Sequence, residues 1–308
     1  MKIILMNGWP ALVFAAFFPG YVPADILEGV ESPRLEPFVL CTGIEGADGI
    51  ALSAGGVLYV AAESQGKVYR IDPPGIPVVV AEGLRHPEGL AVAGECSLLV
   101  TEDVDGGRIL LVTPEESLRV LAGGLAFPEG VAAGGGRVLF TESSAETGFP
   151  PPFRTGVGRV GDEEPLFSSL YLWSLSDMVV DDKGTIYACN ESSGFPLVRE
   201  SVIRIDADTG EWSVFARDLK SCEGICSTPG SFFPLLVVEE DTGNGSGRLV
   251  SVDSSGNITV LARGFGNLED VAVDEYGRIF VSEDSSGRIL MLIPRTSGGR
   301  TGTSPELE

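Results

Sequence analysis

HPEGLAVAG, residues 86–94, decides the fold together with the three segments that follow it. These segments are CSLLVTEDV (96–104), GGRILLVTP (106–114) and SLRVLAGGL (117–125). Each is a short apolar run that ends at a polar or glycine-rich turn, which is typical of a β-strand and too short for a stable helix. The stretch therefore predicts a unit of four consecutive antiparallel strands.

The first of these segments recurs along the chain. Its copies read ADGIALS, PEGLAVA, PEGVAAG, SDMVVDD, CEGICST and LEDVAVD. An acidic residue marks each copy, and the steps between successive marks are 40, 41, 48, 46 and 46 residues. A strand-rich repeat of roughly 40 to 50 residues is typical of a β-propeller with one repeat per blade. We therefore expect an all-β fold, a six-bladed β-propeller over residues 25–294.

The last repeat predicts how the ring closes. LEDVAVDEYGRIFVSEDSSGRILMLIP (268–294) stops one strand short of four. A spare strand lies at the other end of the chain, where Pro37–Cys41 precedes Asp48 at the spacing that Val120–Ala122 keeps before Glu129. The N-terminal strand is expected to join the last blade, and such closure removes exposed strand edges.

The acidic residue of each copy gives the functional prediction. The six residues are Asp48, Glu88, Glu129, Asp177, Glu223 and Glu269. Equivalent positions of a propeller surround its central channel, so six carboxylates are expected to converge there. Two carboxylates about 5 Å apart repel by roughly 3 kcal/mol at an effective dielectric constant near 20, so they must hold protons or bind a cation. Oxygen ligands favour Ca²⁺, with Mg²⁺ or Mn²⁺ as alternatives. The other interpretation of the six acidic residues is a channel that is polar only because it is filled with solvent.

A second set of acidic residues ends the second strand of each repeat. Its members are Glu63, Glu102-Asp103, Glu142, Glu191, Glu240-Asp241 and Glu283-Asp284. Carboxylates at strand ends commonly accept backbone N–H bonds and shape the next turn. We expect that role for this set in preference to contact with a ligand.

Repeats three and four carry long insertions after their second strands. Both insertions contain Gly-Phe-Pro, at 148–150 and 194–196. A four-stranded meander alternates direction, so these loops are expected on the face where the inner strands begin, above the acidic ring. Apolar residues in long loops favour binding. The expected substrate contacts are Phe149, Phe153, Tyr171, Trp173, Asn190 and Phe195.

Charge and cysteine content limit the partners. The formal net charge of −23 argues against nucleic acid and anionic membrane surfaces. We expect a small-molecule substrate, no stable membrane span and a monomer. The five cysteines form no Cys-x-x-Cys pair and are expected to be small buried hydrophobes; a disulfide from Cys41 is the alternative if the protein is exported.

The two ends of the chain are predicted to lie outside the propeller. Lys2, an apolar run through Phe18 and Val22-Pro23-Ala24 together resemble a secretory signal over residues 1–24, which would place the protein in the periplasm or outside the cell. The alternative is a cytoplasmic protein whose N-terminal segment packs over the propeller mouth. The polar tail 295–308 is expected to be disordered.

The repeats resemble those of the six-bladed propellers that include the senescence-marker/gluconolactonase (regucalcin) family, the paraoxonases and diisopropylfluorophosphatase, and they fit the wider NHL pattern. The resemblance covers roughly residues 35–294 and rests on the acid-glycine pairs at 48–49, 88–89, 129–130 and 223–224. It implies a metal-dependent hydrolase of a small ester or lactone. By the order of the family's ligands, it implies that Asp48, Glu129, Asp177 and Glu223 are the main metal ligands. Glu223 would be both ligand and base, with His86 as a second candidate base. This chain departs from those families because its ring has no Asn and His86 is its single histidine.

Two other functions stay open on the sequence. Strictosidine synthases share the fold and use a glutamate without a metal, which would imply a metal-free cyclase or condensing enzyme. A non-catalytic NHL-type propeller that binds a partner through its loops is the third interpretation.

Overall fold

The computed structural model describes residues 25–73, 75–94, 97–114, 118–143, 155–191, 198–240, 243 and 245–295. This part of the chain forms six antiparallel sheets, arranged as the six blades of a propeller. The helices among the described residues are two single 3-10 turns, Glu63–Gln65 and Asp284–Ser286. The predicted all-β six-bladed propeller is confirmed.

Each of the first five blades is a four-stranded meander whose first strand is the innermost. Blade 1 contains β3 (Ala47–Leu52), β4 (Leu58–Ala62), β5 (Lys67–Asp72) and β6 (Ile76–Glu82). Blade 2 contains β7 (Pro87–Val92), β8 (Leu98–Glu102), β9 (Asp105–Val112) and β10 (Arg119–Ala126). Blade 3 contains β11 (Val131–Gly134), β12 (Arg137–Ser143), β13 (Thr155–Arg159) and β14 (Phe167–Ser169). Blade 4 contains β15 (Ser174–Val180), β16 (Thr185–Glu191), β17 (Ser201–Asp206) and β18 (Trp212–Arg217). Blade 5 contains β19 (Cys222–Thr228), β20 (Ser231–Glu239), β21 (Gly247–Val252) and β22 (Ile258–Phe265).

Blade 6 joins the two ends of the chain, as the sequence predicts. It contains β23 (Leu268–Val273), β24 (Ile279–Glu283), β25 (Arg288–Pro294), β2 (Leu35–Thr42) and β1 (Asp25–Ile26). β2 pairs antiparallel with β25 over its whole length, from Leu35 opposite Pro294 to Thr42 opposite Arg288. The short β1 adds a fifth strand outside β2. The N-terminal strand therefore closes the ring.

The core lies between the blades. Each of the six blade junctions holds its own cluster of buried apolar side chains. At the junction that closes the ring, Phe38 of β2 and Phe280 of β24 pack with Ile44, and Phe280 and Ile44 are fully buried. Burial of apolar surface contributes about 25 cal/mol per Å², so the blades are held together mainly by these junctions.

A β-bulge begins the inner strand of five blades. In blade 2, for example, the pairing steps from Pro87 opposite Glu102 to Leu90 opposite Val100, so that two residues, Glu88 and Gly89, face one residue of the partner strand. The same shift occurs in β3, β15, β19 and β23. A bulge redirects a side chain locally, and the redirected position is the one that carries the acidic residue.

The glycine after the acidic residue permits the close approach of neighbouring blades. A Cβ atom on Gly49 would lie 2.1 Å from the carbonyl oxygen of Glu88, and one on Gly89 would lie 2.2 Å from that of Glu129. Any side chain at these positions would force the backbones apart. The acid-glycine pair therefore belongs to the geometry that brings the inner strands together around the axis.

Several expectations concern the ends of the chain and the cysteines. Residues 1–24 and 296–308 lie outside the described residues, so both interpretations of the leader and the disordered tail stay predictions. Arg295 donates backbone and side-chain hydrogen bonds to Arg34 and Leu35. No helix in the described part of the chain has the length and apolar character needed to span a bilayer. The four described cysteines are free thiols, and three of them are buried.

Candidate functional site

The inner strands of all six blades line one cavity on the propeller axis. Its walls are formed by Asp48, Gly49, Glu88, Gly89, Glu129, Gly130, Ser176, Asp177, Glu223, Glu269 and Asp270. The structure thus brings together all six acidic residues that the repeat predicted, and it adds one carboxylate, Asp270, that the sequence analysis missed. Asp270 directly follows Glu269 in the sequence, and these two adjacent acidic residues are the signal that could have identified it.

The register of blade 4 differs from the prediction by one residue. Leu175 lies opposite Asn190 and Met178 opposite Ala188, just as Pro87 and Leu90 are paired in blade 2. Ser176 therefore occupies the ring position, and Asp177 occupies the position that is glycine in blades 1, 2, 3 and 5. The ring carboxylates are accordingly five: Asp48, Glu88, Glu129, Glu223 and Glu269.

Asp177 and Asp270 occupy the same glycine position in blades 4 and 6, and each joins its blade to the next. An oxygen of Asp270 accepts the N–H of Ile50 in blade 1 at 2.7 Å, and an oxygen of Asp177 accepts the N–H of Ile225 in blade 5 at 3.2 Å. Each also accepts the N–H of the residue that follows it. These two carboxylates are therefore engaged with the backbone below the ring.

Hydroxyl groups link successive blades at the level of the ring. Thr101 donates to the carbonyl of Glu129 at 2.6 Å, and Thr141 donates to the carbonyl of Ser176 at 2.8 Å. Ser176 in turn donates to the carbonyl of Glu223 at 2.8 Å. The backbone that presents the ring carboxylates is consequently fixed from blade 2 through blade 5.

One ring carboxylate is held by a side chain of its neighbouring blade. The hydroxyl of Ser174 donates to Oε1 of Glu129 at 2.8 Å. Both residues are buried, with 2% and 8% of their surfaces exposed, whereas the other four ring residues are partly exposed. Glu129 therefore has the most restricted side chain of the ring.

The ring is electrostatically unfavourable when every carboxylate is ionised. Burial raises the pKa of Asp48 well above its usual range, and Glu269, Glu63 and other carboxylates raise it further. Burial is also the largest cause of the raised pKa values of Glu88 and Glu223, and neighbouring acids are the next. The same two causes raise the pKa of Glu269 to about 8. Burial raises the pKa of Asp177 to about 7. Such a ring favours bound protons or a bound cation near neutral pH.

The acidic residues at the ends of the second strands, apart from Glu142, divide into two groups with different roles. The first group, the strand-end glutamates Glu102, Glu239 and Glu283, accepts backbone N–H bonds from the loops before the inner strands and pairs with Arg108, Arg248 and Arg288. Their turn-shaping role matches the expectation. In blade 5 the sequence predicted Glu240 and Asp241 as the strand-end pair, but the residues that match Glu102 and Asp103 of blade 2 are Glu239 and Glu240. Asp241 lies outside the described residues.

The second group forms a tier of mouth carboxylates above the ring: Glu63, Asp103, Glu191, Glu240 and Asp284. In four of them the backbone N–H donates to the carbonyl of the residue just before the bulged inner strand. For example, the N–H of Asp103 donates to the carbonyl of His86 at 2.9 Å. Their charges raise the pKa values of ring carboxylates; Asp103 acts on Glu88, and Glu191 acts on Glu223. These mouth carboxylates therefore act on the ring electrostatically, in addition to the turn-shaping role expected for the outer acids.

His86 lies at the rim of the mouth. Its Nδ1 atom is 2.8 Å from Oε1 of Glu63, and its side chain is 59% exposed. Its backbone is in the left-handed region with φ of 42°. His86 does not line the axial cavity, so its contact with the site runs through Glu63.

The predicted substrate-binding residues are mostly not at the cavity wall. Phe149, Phe153 and Phe195 lie outside the described residues. Tyr171 is 59% exposed and Trp173 is half-buried, and both follow β14 on the mouth face. Asn190 is fully buried and donates to the carbonyl of Arg199 at 3.1 Å. None of the three described residues lines the axial cavity.

The ring has the donor chemistry of a hard-cation site. Carboxylate oxygens are the ligands that Ca²⁺ and Mg²⁺ prefer, and a cation relieves the repulsion that raises these pKa values. As placed, however, no three His, Cys, Asp or Glu side chains of the described segments are grouped closely enough to hold a metal ion. The ring side chains would have to move closer together to bind one.

Comparison with solved structures finds propellers of several activities. The chain is similar to a gluconolactonase from Xanthomonas campestris, with a TM-score of 0.70 and 16% identity over 90% of this chain and 98% of that one. It is also similar to a PQQ-bound aldose sugar dehydrogenase from Streptomyces coelicolor (TM-score 0.61, 14% identity, 89% and 100% covered). A third similar structure is virginiamycin B lyase from Staphylococcus aureus (TM-score 0.59, 14% identity, 86% and 100% covered). No protein-family profile and no curated protein matches the chain. At these identities the likeness shows the propeller fold alone.

Proposed function

We propose that this protein is a hydrolase of a small ester or lactone that uses a divalent cation at the mouth of its channel. The observation that carries the proposal is the convergence of carboxylates from five blades on one cavity, with pKa values raised by burial and mutual repulsion. A gluconolactonase has the same fold over nearly the whole chain, so the fold is compatible with lactone hydrolysis. Ca²⁺ is the preferred ion because all the donors are oxygens, with Mg²⁺ or Mn²⁺ as alternatives.

The ring carboxylates are the residues that would hold the ion. Asp177 was predicted as a ligand, but it and Asp270 already accept backbone N–H bonds and would support the ring from below. A bound divalent cation would polarise the substrate carbonyl and stabilise negative charge on its oxygen.

The side chains of the ring have separate tasks in this proposal. Glu223 would accept a proton from the attacking water once the bound cation keeps its carboxylate ionised. Glu129 keeps a fixed orientation through its hydrogen bond from Ser174. His86, predicted as a second base, would act only through Glu63 at the rim, because it does not line the cavity.

Hydrolysis of lactones and aryl esters, with and without EDTA, tests the proposal. We expect EDTA to abolish activity and added Ca²⁺ to restore it. Glu223→Gln should lower kcat by about 10²-fold or more, since general base catalysis contributes that much, while Glu275→Gln, at an exposed site away from the channel, should not. Full activity after EDTA treatment, or equal activity of Glu223→Gln, would contradict the proposal.

A metal-free cyclase or condensing enzyme is the second candidate, and one observation favours it. Glu269 and Asp177 have pKa values raised to about 8 and about 7, so they hold protons near neutral pH and can donate them to a substrate. Turnover of an amine substrate that continues unchanged after EDTA treatment would support this candidate. A non-catalytic binding propeller would show neither activity.

A further inference from the structure

Three blades build the same ion pair where the second and third strands meet at the mouth. Glu239 lies opposite Arg248, Glu283 lies opposite Arg288, and Arg108 Nε is 2.5 Å from Glu102 Oε2. The three glutamate side chains are 0%, 1% and 2% exposed. Each also accepts a backbone N–H from the preceding loop. In these blades the carboxylate has a complete set of partners within the protein.

Blade 3 keeps the acidic residue, and its described residues provide no cation to pair with it. Glu142 lies opposite Gly156 and accepts the backbone N–H of Ala126, the equivalent of the loop bond in the other blades. A Cβ atom on Gly156 would lie 2.3 Å from the carbonyl oxygen of Phe167, so the backbone of β14 excludes any side chain there. Within the described segments, no Lys, Arg or His forms an ion pair with Glu142. Glu142 is also partly exposed, unlike its three counterparts.

The fold does not require a glutamate at this position. Blade 1 builds the same strand pair with Ala62 opposite Lys67, and blade 4 builds it with Asn190 opposite Ser201. Among these six strand pairs, all of them described, only blade 3 has an acid without a base. Burial raises the pKa of Glu142 against a single opposing hydrogen bond from Ala126. For Glu102, hydrogen bonds from Arg108 and Arg85 overcome the effect of burial and lower the pKa.

We propose that Glu142 binds the cationic group of a ligand, an ammonium or a guanidinium, in the place that arginine fills in blades 2, 5 and 6. An organic cation would complete from solution the charge-assisted hydrogen bonds that those blades complete internally. A guanidinium matches this site best, because it can donate two parallel hydrogen bonds to one carboxylate.

The loop after β14 offers exposed apolar side chains on the same face of blade 3 as Glu142. On the next rung, Ser143 and Thr155 both donate to the carbonyl of Trp173. The loop that ends there presents Leu170 and Tyr171, which are 65% and 59% exposed. The subsite goes beyond the proposed hydrolase and holds whether or not the ring binds a metal.

Calorimetric titration of the full chain with an alkylguanidinium, and with the uncharged alkylurea of the same shape, tests the subsite. We expect the guanidinium to bind and the urea not to bind. Glu142→Gln should weaken guanidinium binding about tenfold or more, as expected for loss of a charge-assisted pair. The matched control Glu275→Gln removes one exposed negative charge elsewhere and should leave the affinity unchanged.

Two further measurements separate the subsite from the ring and from a folding defect. Saturating Ca²⁺ should not displace the guanidinium, and the Tm of Glu142→Gln should equal or exceed that of the wild type. Equal affinity of Glu142→Gln and wild type, displacement by Ca²⁺, or binding of neither probe would overturn the proposal.

Discussion

Acidification from pH 8 to pH 5 should stabilise the metal-free protein. The pKa of Glu269 is raised to about 8 from 4.5, and that of Asp177 to about 7 from 3.8, in both cases first by burial. Between the unfolded and folded pKa values the folded chain holds protons that the unfolded chain has lost. The free energy of unfolding therefore falls as the pH rises through this window.

The size of the effect follows from these two groups. One unit of pKa difference corresponds to about 1.4 kcal/mol, so full protonation of both carboxyls between pH 8 and 5 would contribute about 7 kcal/mol. Both side chains are partly exposed, and solvent screening reduces this to about 3 kcal/mol. In a domain of this length 1 kcal/mol shifts Tm by about 2 °C, which gives a rise of about 6 °C.

Differential scanning calorimetry in EDTA measures this rise directly. The carboxylates whose pKa values are lowered in the fold, such as Glu102, stabilise above their unfolded pKa, and that contribution is lost only at more acidic pH. Glu269→Gln should reduce the pH dependence, and Ca²⁺ at pH 8 should remove most of it by replacing the protons. A Tm that stays constant or falls between pH 8 and pH 5 would refute the electrostatic description of the ring.

Three other predictions concern the ring and its supports. Glu239→Ala should lower the free energy of unfolding by about 3 kcal/mol, because it leaves a partly buried guanidinium unpaired; urea denaturation measures this, and an unchanged midpoint would contradict it. Gly49→Ala should lower the free energy of unfolding by about 2 kcal/mol or more, because it overpacks the blade junction. Gly123→Ala should lower it little, because a Cβ atom there has no heavy atom closer than 3.7 Å. Equal Tm values of the two variants would contradict this explanation. Ser174→Ala should weaken Tb³⁺ binding about tenfold, as loss of a supporting hydrogen bond to a metal ligand does, with little change in Tm; undiminished affinity would remove Glu129 from the ligand set.

The blade count and the closure could be predicted because both rest on local signals. Each strand of a propeller pairs with the next along the chain, so a run such as 86–125 contains nearly all the information for its own blade. The spare strand Pro37–Cys41 could be assigned from spacing alone. The convergence of the acidic residues followed from the repeat, because equivalent positions must surround the axis.

The register of the ring could not be set by the acidic residues alone. SDMVVDD aligns with the other copies through Asp177 if acids are matched, but through Ser176 if the first buried apolar residue, Met178, is matched with Leu90. The apolar residue is the better guide, because its position is fixed by the core and a one-residue slip would move it to the other face. The bulge that redirects the ring side chains has no clear signature in a single copy.

The residues that pair with the outer acids also could not be predicted from the sequence. Glu102 and Glu142 occupy matching positions, yet Arg108 pairs with the first and Gly156 lies opposite the second. The pairing depends on which residue begins the third strand. The insertion in blade 3 makes that boundary hard to place without coordinates.

Electron density on the propeller axis of a crystal soaked in Ca²⁺ tests the central claim most directly. We expect an ion with at least three ring carboxylate oxygens at about 2.3–2.6 Å, the usual range for Ca²⁺. Water alone on the axis, with the carboxylates of Glu129 and Glu223 turned away from it, would contradict the claim that the ring is a cation site.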